Sequence, residues 1–415
     1  MKILIVHNHY QQPGGEDVVA RAEKELLNAR GHQVVEYVRH NNEIAGYGRW
    51  RRATLAPRTV WAWDSHREVK ALLRRERPDI AHFHNTFPLI SPAAYYACRR
   101  AGVPVVQSLH NARLVCPVAT FQRNHRVCQD CLGRKFAWPA VLHACYRGSR
   151  TGSSVVAATL AIHWQLGTWN KLVDCFIVAT DFYRRKFVEA GLPAEKIVVK
   201  PHFVEDYGVQ RSAGTYALFV GRLAPEKGVD TLLGAWRRLS HIPLRVRGEG
   251  PLEGNVQRLA EESGGAVQLL PRLAKGELVR LMQGARFLVW PSEGYYETFG
   301  YVAAEAFSCG IPVIASRVGV AEEIVADGRT GLHFTPADPQ DLAAKAEWAW
   351  THPSEMEAMG RAARAEYESK YTAERNHPML TEIYRRVLGA KGRGLGTGAG
   401  ADDERPAASC SSVHI

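Results

Sequence analysis

Short apolar runs alternate with amphipathic stretches along nearly the whole chain, and each switch from one to the other is marked by Gly, Pro or Asn. The pattern predicts strands over residues 3–7, 33–37, 79–84, 103–109, 175–178 and 197–199, with a helix over 16–29 between the first two. It then restarts. Strands are predicted over 216–220, 244–247, 267–270, 287–290 and 313–315, helices over 229–239 and 303–309, and a closing sheet edge over 319–324 and 328–334. Further helices are predicted over 339–351 and 354–367. Strand–helix alternation of this kind specifies parallel sheets covered by helices on both faces, with ligands at the carboxyl ends of the strands. The fold class is therefore α/β, with the alternation run through twice.

The 415-residue length agrees, being too long for one core and about right for two. The expected boundaries are a first domain over 1–205, a second over 206–370 and a helix over 371–388 crossing back to the first. A disordered Gly-, Ala- and Ser-rich tail is expected over 389–415. The polar stretch 205–214 reads as the hinge. Residues 151–170 carry no charge, but their Thr, Ser, Gly, His and Gln content dilutes them below a membrane span. A helix buried under the first sheet, or lying on a bilayer, is expected there.

Charge changes the picture because it is unevenly placed. Residues 1–205 hold 29 Lys and Arg against 16 Asp and Glu, a net of +13; residues 206–415 hold 24 against 26, a net of −2. The first half should face something anionic: a membrane surface, a lipid phosphate or nucleic acid. Arg49, Trp50, Arg51 and Arg52, with Trp61 and Trp63, form a basic aromatic stretch suited to a bilayer interface or to an exposed helix with buried rings. No cleavable leader is visible, and no aromatic–basic motif of a known nucleic-acid reader is found, so nucleic acid is not an expected partner.

Three stretches carry candidate chemistry. The first, residues 291–316, places Glu297 before a short helix and Glu305 inside it, with Phe299 and Gly300 at the turn between them. Amides at a helix N-terminus suit an anion, and carboxylates beside them suit sugar hydroxyls. The second, residues 221–228, sets Arg222 and Lys227 on a tight strand-to-helix loop where two cations can straddle a diphosphate. The third is the loop after the first strand, with Gly14, Gly15, Glu16 and Asp17 at the ligand-binding edge of the first sheet. His110, just past the fourth strand, lies at the same edge.

The three motifs HNHYxxxGGED, GRLxxEKG and ExFG…EAxxxGxPVIAS together resemble those of the retaining GT-B glycosyltransferases of family 4, over residues 1–388. The resemblance implies two Rossmann-like domains facing across a cleft and transfer of a hexose from a UDP- or GDP-sugar to a glycan or lipid-phosphate-linked acceptor. It places Arg222 and Lys227 on the diphosphate and Glu305 on the ribose. Glu297 and the amides of Phe299 and Gly300 would hold the sugar, with Gly15 on the donor and His110 against the donor sugar from the first domain. Gly14, Glu16 and Asp17 fall on the acceptor side. No cofactor is required for such chemistry. The implied setting is surface polysaccharide or glycolipid synthesis by a cytoplasmic enzyme peripheral on the inner membrane. An inactive scaffold of the same fold, or a basic nucleic-acid-binding protein, are the competing readings.

Cys116, Cys128, Cys131 and Cys145 form a C-x11-C-x2-C-x13-C array inside a Cys-rich insert over 116–145. The spacing suits a structural zinc held by four thiolates; disulfides and metal-free thiols are the other readings.

Overall fold

The computed structural model describes residues 1–11, 14–48, 54–209 and 214–395. It divides into two compact units, one of residues 1–119, 129–200 and 377–415, the other of 120–128 and 201–376.

The first unit is built on a six-stranded sheet. Its strands are β1 (Lys2–His9), β2 (Gln33–His40), β3 (Ile80–Asn85) and β4 (Val105–Ser108). After the short strands β5 (Gln122–Arg123) and β6 (Arg126–Val127), it is completed by β7 (Cys175–Val178) and β8 (Ile197–Val199). The order is β2-β1-β3-β4-β7-β8 and every pairing is parallel. β1 and β3 are buried almost throughout, as strands covered on both faces must be. Ile3, Ile5, Ile80, Val106 and Ile177 pack with Leu380, Ile383, Tyr384 and Val387 of the C-terminal helix Ala373–Leu395.

The second unit has strands β9 (Tyr216–Val220), β10 (Leu244–Arg247), β11 (Val267–Leu270), β12 (Ala285–Trp290), β13 (Val313–Ser316) and β14 (Gly331–Phe334). Their order is β11-β10-β9-β12-β13-β14, again all parallel. Chain order reverses between β9 and β12, and in the first sheet between β1 and β3. Loops leaving adjacent strands at such a reversal diverge to opposite faces and open a crevice.

Several expectations shift. The segment 319–324 does not join the sheet edge: Ala321–Ile324 is a short helix and β14 alone closes the sheet. The C-terminal helix runs to Leu395, past the expected start of the tail at 389, because extending a formed helix adds one bond per residue fixed. The Cys-rich insert does not stay with the first unit as a block, since residues 120–128 join the second. The uncharged stretch forms the helix Arg150–Gln165, whose His163 is fully buried between Thr168 and the Val60 carbonyl, 2.9 Å from each. Among the described residues no helix is long and apolar enough to cross a membrane. Residues 49–52, the basic part of the stretch considered for a bilayer, lie outside the described residues.

Beneath β3 lies an ion pair with no solvent contact to speak of. Lys200 Nζ stands 2.8 Å from Glu23 Oε1, with side chains 0% and 1% exposed. Removing one partner of such a pair strands the other charge in a poor solvent, at a cost of about 3–5 kcal/mol, whereas removing both costs far less. Lys200→Met should therefore lower the urea midpoint of the first unit sharply, and Glu23→Gln with Lys200→Met should recover much of the loss. Equal losses in the single and double variants would show that packing, not charge, dominates.

Candidate active site

In the second unit, the loops after β9 and β12 flank the reversal point, and of the predicted donor residues Lys227 and Glu297 meet there, whereas Gly15 belongs to the first unit. The 3-10 turn Pro225–Lys227 ends at Gly228, whose φ of +67° suits glycine. A Cβ at Gly228 would also lie 1.9 Å from the Pro291 carbonyl oxygen, so only glycine lets the two loops touch. The contact delivers Lys227 Nζ to 2.7 Å from Glu297 Oε1. The same oxygen accepts from Trp290 Nε1 at 2.9 Å and Ser292 Oγ at 2.6 Å. Burial opposes the charge on Glu297, but the Lys227 ammonium and these donors outweigh it and hold the carboxyl below its ordinary range. Lys227 also sits 5.1 Å over the Tyr295 ring. That phenol is pushed well up, by burial first and then by the Glu297 charge.

Arg222 is more open, with its side chain 63% exposed, and it pairs with Glu226 on the same turn. Glu305 lies inside the helix Tyr301–Ser308 and accepts from Tyr207 Oη at 3.3 Å. Burial raises its carboxyl to about 7, against smaller opposing effects of Tyr207 and Lys275. The two carboxylates eight positions apart thus differ in kind: Glu297 is held ionised, and Glu305 is poised near neutrality. Gly300, at φ +85°, caps the helix with its Cα against the Trp290 ring, where a Cβ would come within 2.2 Å. Phe299 is buried against His202, Tyr301 and Tyr371.

Trp290, Ser292 and Tyr295 were not foreseen. Their signal was faint: Trp290 reads as the last residue of a buried strand and the other two as turn residues. A further unforeseen contact is the β5–β6 hairpin. Phe121 makes an edge-on ring contact with Tyr296, and the His125 carbonyl leaves no room for a side chain at Gly294.

In the first unit, Gly14 caps the helix Gly15–Ala29, and Glu16 and Asp17 occupy its first turn. The Gly14 amide donates to Asp17 Oδ2, while His7 Nε2 and His9 Nδ1 both meet Oδ1, each at 2.7 Å. Glu16 accepts from Asn85 and Asn111, both at 2.8 Å. Burial, then the Asp17 charge, pushes its carboxyl up to about 8. His110 Nε2 lies 2.9 Å from His84 Nδ1, the rings stacked 5.2 Å apart. His84 is fully buried, so it fixes the orientation of His110.

Cys131 and Cys145 pack against the small cluster Ala137, Ala140 and Ala157, and Cys116 is buried. Among the described residues, the close groups of three or more side chains able to hold a metal are His7–His9–Asp17 and Glu23–His82–His84. Neither contains a cysteine.

Two family models match successive parts of the chain: Glycosyltransferase Family 4 over residues 13–206, and Glycosyl transferases group 1 over residues 209–366. With two parallel six-stranded, doubly wound sheets, the second in Rossmann order, the chain belongs to the GT-B glycosyltransferases of group 1. It is 33% identical over 160 residues to the D-rhamnosyltransferase WbpZ of Pseudomonas aeruginosa, covering 38% of this chain and 42% of that one. To the O-antigen chain mannosyltransferase C of Escherichia coli it is 27% identical over 232 residues, covering 53% and 62%. The matched stretches thus span about half the length of these curated relatives. The fold is shared with Anabaena HepE, solved with UDP, at a TM-score of 0.64 and 18% identity over 92% of this chain and 99% of that one.

The near-neutral carboxyl of Glu305 gives a pH test. A group raised from 4.5 to about 7 favours the protonated state in the fold. Its contribution to stability is therefore full below pH 4.5 and lost as pH rises through 7. If its carboxylate accepts from ribose hydroxyls, nucleotide affinity should instead rise between pH 6 and 8. Glu305→Gln should flatten both trends, read by thermal melts and by nucleotide titration. An unchanged pH profile in the variant would remove Glu305 from both roles.

Proposed function

We propose that the protein transfers a hexose from a UDP- or GDP-sugar to a glycan or lipid-linked acceptor in the synthesis of a surface polysaccharide or glycolipid. The observation that carries this reading is the meeting of Lys227 and Glu297 at the reversal point of the second sheet, with Glu305 in the adjoining helix. Lys227 and Arg222 neutralise the departing diphosphate, each exchanging its present carboxylate partner for phosphate oxygens. Glu305 takes the ribose; Glu297 and the amides of Phe299 and Gly300 hold the sugar, Gly15 borders the donor, and His110, steadied by His84, is assigned to the sugar's far side. Attack on the face the diphosphate leaves retains the anomeric configuration without an enzyme nucleophile, so charge stabilisation and positioning do the catalysis. Names of the relatives that include O-antigen and rhamnosyl transfer support the polysaccharide setting. An inactive scaffold is disfavoured because Arg222, Lys227 and Glu297 are all present and two of them are in contact.

A panel of UDP- and GDP-sugars incubated with purified protein, read by released nucleotide, tests the donor. One sugar should be turned over well above the rest, and Arg222→Ala and Lys227→Ala should each lower that turnover at least about tenfold. Near wild-type turnover by the double variant would dismiss the diphosphate assignment.

Membrane attachment from the cytoplasmic side is a second element of the proposal. Support comes from the lobe that carries Phe136, Trp138 (51% exposed) and Leu142 on its surface, with Arg134 stacked 5.3 Å over Trp138. Lys135, Arg147 and Arg150 are exposed alongside in sequence. Rings and cations together suit an anionic interface, where each cation contributes about 1 kcal/mol. Co-sedimentation should favour anionic over neutral vesicles and fall as salt rises; Trp138→Ser should weaken it. Equal binding to both vesicle types would assign the basic charge to a soluble anion. Structural zinc remains a separate proposal supported by cysteine spacing alone. Elemental analysis should find about one zinc per chain, lost in Cys128→Ser with Cys131→Ser.

A further inference from the structure

A cavity of about 720 Å³ lies in the first unit. Tyr10, just after β1, and Phe87, just after β3, both line it, which places it at the reversal point of that sheet, where parallel α/β sheets bind ligands. Its lining is chemically divided. One part is apolar, with Ile44, Leu55, Val155 and Val156. The other holds two guanidinium groups, Arg113 and Arg147, and none of the described lining residues is acidic.

Arg113 is fixed in place. Its guanidinium lies 4.5 Å over the Phe87 ring and 5.6 Å over Tyr146, and it donates to the Pro117 carbonyl. Arg147 lies 5.6 Å over the same Tyr146 ring. The buried Nε of Arg113 meets no acceptor among the described residues. A buried charged N–H without a partner is costly, and an acceptor oxygen of a ligand would satisfy it. The neighbouring Glu16, raised to about 8 by burial and the Asp17 charge, is mostly protonated at pH 7 and does not cancel the arginine. Planar guanidinium pairs held by aromatic stacking suit phosphate oxygens better than a single carboxylate does. The apolar wall requires that the ligand also present carbon.

We propose that this cavity binds the acceptor, and that the acceptor is a phosphate or diphosphate ester of an apolar chain. Arg113 and Arg147 take its phosphate oxygens, and Ile44, Leu55 and Val155 take its first carbons. The assignment as acceptor rests on the glycosyl-transfer reading above; the binding chemistry does not. It also gives the two arginines a part in the basic excess of the first half.

The test uses the full chain and three probes in calorimetric titrations: farnesyl diphosphate, farnesol and inorganic pyrophosphate. Farnesyl diphosphate should bind at least tenfold tighter than either of the others. Arg113→Gln and Arg147→Gln should each weaken it about tenfold or more. Val155→Glu should weaken farnesyl diphosphate and leave pyrophosphate unchanged. Arg147 is exposed, so its variant keeps the test meaningful if the stacked Arg113 proves necessary for folding, which thermal melts report. Wild-type affinity in both arginine variants overturns the proposal. Pyrophosphate binding as tightly as farnesyl diphosphate also overturns it, by showing a site for free phosphate. Titration of UDP and GDP into the same wild-type samples separates the two claims: absence of nucleotide binding with farnesyl diphosphate binding intact removes the sugar donor and leaves the cavity assignment standing.

Discussion

Two loops in the second unit are stitched together by backbone alone. The Glu293 amide donates to the Glu226 carbonyl at 3.2 Å, and Gly228 lies so near the Pro291 carbonyl that a methyl group would collide with it. Much of the site follows from that approach. It brings Lys227, at the end of one turn, to Glu297, 70 residues later in the chain. It sets Tyr295 beneath the ammonium. It also places Trp290 where one edge bonds Glu297 and the ring face backs Gly300. The close fit rests on two glycines and one indole, and the charges are arranged on top of it.

The opposite proton affinities of the two carboxylates have the same origin. Glu297 is surrounded by donors that the loop contact supplies, so its charge is stabilised despite burial. Glu305 sits inside the helix that follows, where the supply is a single phenol at 3.3 Å and burial prevails. In the first unit Asp17 and Glu16 repeat the contrast at adjacent positions: three donors converge on Asp17, while at Glu16 burial and the anionic neighbour Asp17 prevail over the Arg113 charge and two neutral amides. Sheets that end in loops at one edge provide this division readily, because alternate residues entering the helix face different surroundings.

Much of the fold was legible because it depends on local periodicity. Strands at 175–178, 197–199, 216–220, 244–247 and 267–270 appear with the limits that the apolar runs predict, and the helix over 339–351 starts at Pro339 behind an Asp338 cap. That Lys227 and Glu297 belong together was legible for a different reason, the resemblance of their motifs to one family's, and the structure puts the two in contact. What the sequence could not supply was contact between distant turns. Trp290 and Ser292 look like strand end and loop filler until Lys227 arrives. The pairing of Glu16 with Asn85 and Asn111 joins residues 69 and 95 positions away. The segment 319–324 misled because Gly319 and Val320 resemble a strand entry, whereas Glu322 and Glu323 suit the start of a helix.

The β5–β6 hairpin bears on how such a chain can be recombined. Its residues come early, between two stretches of the first unit, yet they pack beside Tyr296 and Gly294 as part of the second. A chimera joined at residue 205 would receive the loop after β12 from one parent and the hairpin beside it from the other. Phe121 and His125 would then have to fit a loop with which they share no history. Exchange of specificity by swapping halves therefore has a natural unit that is discontinuous: residues 120–128 travel with 201–376, although the gene separates them by more than seventy codons.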